Sequence, residues 1–356
     1  MTNDESNRAR RPWVPSTYLL ARAIMAVSLP VAGLVACSSG PHEGVASSRT
    51  QATVPSTGAT TDSPSPDPTP SAKAKAAPRT TKSPSTSPKS NSGSGSGSSH
   101  GNCAGYPTPA CTGTPAGTSL SGLRLNLDGG TYRVTKSGTV LNGVHIRGDL
   151  LITANNVTIR NSQIDGGVLD EYANKHYSFT IADSTVGPEH GCLTSPGIGE
   201  ANYTATGVLI RGHGDGFRDS GDNITIRNSY VRLCSNPGDH SDGIQTYMAG
   251  RGLVFDHNTI DQRDAKDVTA PIFLVDNRTA DVRVTNNLVM GGTYSIQLKN
   301  ARGSLVVQNN RLVNRSWIYG PVESDCGRIN WSGNTLVTID HSYRVTSTVG
   351  PLPCAR

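Results

Sequence analysis

Aromatic side chains make up only 5% of the 356 residues, with four Phe and three Trp among them. A core built on large rings is excluded, and small aliphatic residues must fill it. No Cys-x-x-Cys pair and no His-x-x-x-His spacing occurs, so a structural zinc site of the usual kind is not offered. Apolar residues at helical period are missing, which argues against a helical bundle. Hairpin turn dipeptides at roughly 8 to 12 residue spacing are missing too, which argues against a β-sandwich. The apolar run Ala23 to Ala36 is short and interrupted by Pro30, so it does not read as a membrane-spanning helix.

A charge excess of one sign is also lacking where it would matter. The formal net charge is +5, but residues 1–37 hold 4 basic and 2 acidic side chains and residues 38–102 hold 6 and 3. Residues 103–356 hold 22 of each sign. That part is formally neutral and lacks the electrostatic footprint of a nucleic-acid binder, so no nucleic-acid partner is expected. The basic residues Lys73, Lys75, Arg79, Lys82 and Lys89 suit a solvated stretch or one that tracks along an anionic envelope.

What is present divides the chain into three. Arg8, Arg10, Arg11 and Arg22 flank or precede an apolar run that ends in Leu34-Val35-Ala36-Cys37. A basic region, a short apolar region and small residues before a cysteine resemble a bacterial lipoprotein signal. The resemblance implies that residues 1–36 are a signal peptide removed before Cys37, with lipid attached to the Cys37 thiol. The protein would then be exported and anchored to the outer face of the cell membrane, touching the membrane only through that lipid. Residues 38–102 are almost entirely Ser, Thr, Pro, Gly, Ala and Lys, which cannot bury a core, so 37–102 is expected to be a lipidated cysteine and a disordered linker. Residues 103–356 are expected to fold as one monomeric domain. With Cys37 assigned to lipid, six of the seven cysteines remain, and an even set in an exported protein reads as three disulfides. Proximity in sequence pairs Cys103 with Cys111, Cys192 with Cys234, and Cys326 with Cys354.

After Cys103 a unit of apolar-x-apolar-x-x-[Ser/Asn]-x-apolar repeats at Val157–Ile164, Phe179–Val186, Ile224–Val231, Leu253–Ile260, Val282–Val289, Leu305–Leu312 and Ile329–Leu336. Its sixth position is Ser162, Ser184, Ser229, Asn258, Asn287, Asn310 and Asn334. A weaker copy is Val208–Asp215 with His213 at that position, which leaves one interval of 16 residues, short for a coil. Strand-like alternation inside a repeat of this length predicts an all-β solenoid. The unit resembles the coil of single-stranded right-handed parallel β-helices, the pectate-lyase-like fold, over roughly residues 120–345. That resemblance implies stacked aliphatic ladders inside, a Ser/Asn ladder at a turn, and one outer face that meets polysaccharide. Trp317 and Trp331 are expected to cover the C-terminal end, and Leu120 to Tyr132 the other.

The segment before each unit aligns as a further strand, with Phe217, Ile244, Ile272, Ile296 and Ile318 inward. Their neighbours Arg218, Gln245, Phe273, Gln297 and Tyr319 would then point outward on one face. Amide, aromatic and guanidinium groups suit sugar hydroxyls, ring faces and carboxylates. Lys299 lies two residues beyond Gln297 on the same side.

The pattern His-x-Asp-Gly occurs twice, at His213-Gly214-Asp215-Gly216 and His240-Ser241-Asp242-Gly243. On successive coils the two histidines and two aspartates would be neighbours about 4.8 Å apart. The alternative is that Asp-Gly merely makes the turn into each strand, with Gly supplying positive φ. A uronate-polymer lyase needs the sugar carboxylate neutralised and a base against the adjacent proton. Asp215, Asp239 and Asp242 could hold Ca²⁺, Arg218 or Lys299 could clamp the carboxylate, and His213 or His240 could be the base. A hydrolase would use Asp215 and Asp242 as its carboxyl pair. The adjacent aspartates followed by Arg-x-Lys of polygalacturonases are absent, as is the Arg-x-Pro-x-x-Arg of classical pectate lyases. The two functions expected are therefore an enzyme acting on a polysaccharide and a non-catalytic carbohydrate-binding or wall-associated module.

Overall fold

A computed structural model describes residues 103–172, 175–248 and 250–354. Cys37, the signal peptide expected at 1–36 and the linker expected at 37–102 lie outside the described residues. The chain from Thr131 onward visits three sheets in turn. The first sheet has nine strands, from Thr131–Val134 to Gly320–Ser324, and the second has nine, from Val140–Asn142 to Asn330–Ser332. The third has eleven, running from Ser121–Gly122 through Val144–Ile146 to Thr335–Ile339 and Val345–Pro351. Strands one coil apart pair in parallel, as Ile224–Arg227 does with Arg251–Asp256. Among the described residues two strand pairs are antiparallel, Val345–Pro351 on Thr335–Ile339 and Glu171–Tyr172 on Lys175–His176, as is the single bridge Leu127 to Thr131. Because each coil gives its backbone donors and acceptors to the next, short strands of two to seven residues suffice.

Two features of the repeat dictate the sharp corner between the second and third sheets. The first is one residue in the left-handed conformation on every coil: Gly143, Asn161, Asp183, Gly207, Asn228, His257, Asn286, Asn309 and Gly333, with φ between 43° and 66°. Gly, Asn and Asp tolerate that conformation best, which is why the unit carries them there. The second is the residue that follows. Asn258, Asn287 and Asn310 each donate a backbone N–H to the Oδ1 of the next ladder asparagine, at 2.8, 3.0 and 2.9 Å. Their Nδ2 groups also reach strand carbonyls, as Asn287 Nδ2 does Phe255 O at 2.9 Å. In the earlier coils a serine hydroxyl accepts instead, Ser184 Oγ from Ser162 N at 3.1 Å. The buried corner thus pairs the backbone donors of Ser162, Asn258, Asn287 and Asn310.

One coil is corrected. The repeat at Val208–Asp215 does not exist; the strand is Tyr203–Thr206, and Val208 holds the ladder position, donating its N–H to Ser229 Oγ at 3.1 Å. Phe179 to Tyr203 and Tyr203 to Ile224 are 24 and 21 residues, so the short coil disappears. A valine standing where Ser or Asn is usual hid the true register.

Val, Ile and Leu from all three sheets fill the interior, and Phe179, Tyr203 and Phe217 stack within it at 5.2 and 6.4 Å between centroids. Leu123, Leu125 and Tyr132 pack on one end of this core. At the other end Leu352 is buried and its carbonyl accepts from Trp331 Nε1 at 2.8 Å, so Trp331 caps as expected. Trp317 is half-buried in the loop before Gly320. The three disulfides are Cys103–Cys111, Cys192–Cys234 and Cys326–Cys354, the pairing expected from proximity.

Candidate functional site

Register places Arg218, Gln245, Phe273 and Gln297 in one column on successive strands of the first sheet. Its next member is Glu323, paired with Gln297, and not Tyr319. The strand begins at Gly320, so Val322 takes the inward place expected for Ile318. Ile318 and Tyr319 are 62% and 72% exposed, and Tyr319 tilts against Tyr294 with 5.9 Å between centroids. The loop from Asn314 simply runs further than the repeat suggests. Gln297 points outward but is covered, at 8% exposure. Lys299 Nζ is bonded to Glu323 Oε1 at 2.7 Å. It stands three strands from Arg218, about 14 Å along the axis, so the two cations do not form one clamp.

The aspartates of the double motif are neighbours on adjacent coils, and both are built in the same way. Asp215 Oδ1 accepts the backbone N–H of Asp242 at 3.1 Å, and Asp242 Oδ1 accepts that of Ala270 at 3.0 Å. Asp215 Oδ2 accepts from Arg218 at 3.0 Å, and Asp242 Oδ2 accepts from Gln245 Nε2 at 2.9 Å. Each carboxylate therefore ties its coil to the next and also orients the column residue three positions on. Burial pushes both carboxyls up; Arg218 opposes the shift at Asp215, whereas at fully buried Asp242 the Asp215 charge adds to it. Ionisation is therefore opposed more strongly at Asp242 than at Asp215, which has Arg218 beside it.

The glycines are not there for positive φ. Gly216 and Gly243 are absent from the left-handed set; what they allow is close approach. A Cβ on Gly216 would lie 2.4 Å from Gly243 O and 2.7 Å from Val231 Cγ1, and one on Gly243 would lie 2.3 Å from Pro271 O. The motif is thus a bend pressed against the next coil, with its aspartate turned outward beside it.

The histidines do not join the aspartates. His213 is fully buried with Nδ1 on Ser195 O at 2.8 Å, and burial lowers its proton affinity, so it is a neutral core residue. His240 sits in a left-handed loop position with its side chain 78% exposed, Nδ1 3.8 Å from Asp267. Asp239 is spent within its own loops, accepting from Thr194 Oγ1 at 2.9 Å and from Asn236 N. Among the described residues no group of three or more His, Cys, Asp or Glu is arranged to hold a metal ion.

Sequence reasoning missed a second acidic group. Asp170, Glu200 and Asp219 follow one another on successive coils at the end of first-sheet strands, all buried. Asp170 accepts from Ala201 N and Tyr177 N at 3.1 Å each, and Asp219 Oδ1 from Tyr203 Oη at 2.7 Å. Glu200 accepts from Ser220 Oγ. Burial pushes Asp170 up to about 6 and Asp219 up to about 8. No single segment signals this column, because Asp219 reads as a turn residue until Tyr203 is placed across from it.

Three parallel sheets, a turn ladder and a polar outer column on the first sheet define a parallel β-helix. The chain matches the model of the right-handed β-helix region over residues 142–342, more than half its length, and belongs to that family. A domain of this kind points broadly to a carbohydrate-related function. No curated protein and no solved structure matches it.

Proposed function

We propose that this protein is a cell-surface lipoprotein whose first-sheet face binds a polysaccharide rich in uronic acid. The observation that carries the reading is Arg218. One terminal nitrogen is held by Asp215 at 3.0 Å, its Nε is buried without an acceptor, and the guanidinium lies 5.8 Å from the centroid of the half-exposed Tyr247 ring. A fixed guanidinium with donors to spare beside an aromatic ring suits a sugar carboxylate and the ring that bears it. Gln245 and Phe273 continue the column and supply amide and ring contacts to further units. Lipid on Cys37 would hold the domain at the membrane, and residues 38–102 would act as spacer.

Binding is favoured over lyase chemistry because the groups a lyase would use are dispersed. His213 faces the core, His240 faces solvent elsewhere, and Lys299 pairs with Glu323. One observation favours a second reading, hydrolysis: Asp215 and Asp242 are neighbouring carboxyls of unequal acidity, both raised by burial and Asp242 raised further by the Asp215 charge.

The test is calorimetric titration of the lipid-free chain with oligogalacturonate and with a neutral glucan, with and without chelator, while products are followed. The uronate should bind and the glucan should not, and Arg218→Ala should weaken binding at least about tenfold without turnover in either protein. Equal affinity for both glycans, or unchanged affinity in the variant, overturns the binding site. Release of reducing ends or of unsaturated product would convert the module into an enzyme.

A further inference from the structure

A separate cavity of about 640 Å³ opens on the third sheet, between the N-terminal segment at Pro109 and the loops that lead from the third sheet to the first. It shares no residue with the Arg218 face. Two of its lining residues, Arg211 and Arg232, are aligned partners on neighbouring strands Leu209–Arg211 and Tyr230–Arg232, about 4.8 Å apart in the backbone. Lys266 adds a third cation from an adjoining loop.

The state of these cations indicates the ligand. Arg232 is occupied by Asp264, its Nε 3.0 Å from Oδ2, but that pair is more than half exposed on both sides and so weakly held. Arg211 is different. It is half-buried, its Nε is out of contact with solvent, and that nitrogen meets no acceptor. No ion pair of the described residues involves Arg211, so its terminal nitrogens are the donors that a bound oxyanion in the cavity would meet. Glu189 and Asp264 also line the cavity, so its cationic excess is a single charge, suited to one carboxylate rather than to a polyanion.

The rest of the wall fits a sugar ring. Leu209 supplies apolar surface and Pro188 a rigid one, backed by buried Leu233 and Tyr230. The Cys192–Cys234 disulfide ties the two loops that form one wall, fixing the opening before a ligand arrives. The volume is that of a small-molecule site.

We propose that this cavity is a second ligand site, specific for a sugar acid whose carboxylate is held by Arg211 with help from Arg232 and Lys266. It would take a chain end or a free acid, whereas the first-sheet face would take internal units.

The test titrates the full chain with sodium glucuronate, glucose and inorganic phosphate, reading affinity by calorimetry and location by chemical shifts near Arg211. Glucuronate should bind, glucose should not, and raising salt should weaken binding. Arg211→Ala should lower glucuronate affinity at least about tenfold, and Arg211→Lys should restore only part of it, because lysine keeps the charge but not the planar fork. Arg218→Ala should leave this binding unchanged, which separates the two sites. Phosphate binding tighter than glucuronate overturns the sugar-acid assignment. Glucuronate binding that Arg211→Ala and Arg211→Lys both leave intact, in variants that melt as the parent does, overturns the site.

Discussion

At the residue scale, one question recurs: what a carboxyl does when it leaves water. Asp215 and Asp242 hold equivalent places, yet only Asp215 has a cationic partner. Asp242→Asn should therefore be neutral or mildly stabilising, since the amide keeps the bond from Ala270 and removes a carboxyl whose ionisation burial and the Asp215 charge both oppose. Asp215→Asn should lower stability by about 1 kcal/mol, because Arg218 loses its counter-charge. The double variant should depart from additivity by about 0.5 to 3 kcal/mol, as the two carboxyls are neighbours and the Asp215 charge opposes ionisation of Asp242. Urea unfolding of the three variants measures this, and strict additivity would mean the pair is not coupled.

Asp219 allows a sharper prediction. Its native value of about 8 lies above the unfolded value of about 3.9, so the native state holds the proton more tightly. The stability this contributes is complete below about pH 4 and is lost as pH rises toward about 8; Asp170, raised to about 6, acts in the same direction. The domain should accordingly melt lower at pH 8.5 than at pH 5. Asp219→Asn should flatten that slope, because an amide does not titrate. A parent protein with the same melting temperature at both values would refute a neutral Asp219.

At the scale of the element, the turn ladder does what a hydrophobic strand cannot: it fixes register. Asn287 takes the N–H of Asn258 and gives its own amide to Phe255 O and Asn310. Asn287→Ala orphans groups on two neighbouring coils and should cost about 2 to 3 kcal/mol, whereas Asn287→Ser, the residue used at Ser229, should cost less. Thermal melts of the pair test this, and equal losses would mean that the amide acts only as filler. The ladder was legible in the sequence because its residue types are few and its position within the unit constant. The same legibility failed at Val208, where an apolar residue occupies a polar place, and at Tyr319, where a longer loop displaced the strand to Gly320.

At the scale of the whole molecule, a solenoid is stabilised between neighbouring coils, so its ends carry a distinct burden. Val345–Pro351 closes the last edge of the third sheet antiparallel to Thr335–Ile339, Leu352 plugs the core, and Cys326–Cys354 secures the tail. Deleting residues 345–354 should leave β-sheet content largely unchanged but expose an unpaired strand, giving dimers or larger species by edge pairing. Light scattering after size exclusion checks this; a monomer that melts as the parent does would show the segment to be dispensable.

The sequence by itself determined the solenoid, the Ser/Asn corner, the three disulfides and the outward column from Arg218 to Gln297. Each depends on periodicity or proximity along the chain, which a linear string preserves. Tertiary structure alone decided the chemistry of the double motif. Whether His213 faces the core, whether His240 faces water and which oxygen of Asp242 meets Ala270 depend on loops of unequal length between the coils. It also decided that Gly216 and Gly243 answer to the backbone of the next coil, and that Asp170, Glu200 and Asp219 stack inside. Those relations join residues 20 to 30 positions apart whose environments are set by burial, and burial is a property of the packed coils rather than of any one of them.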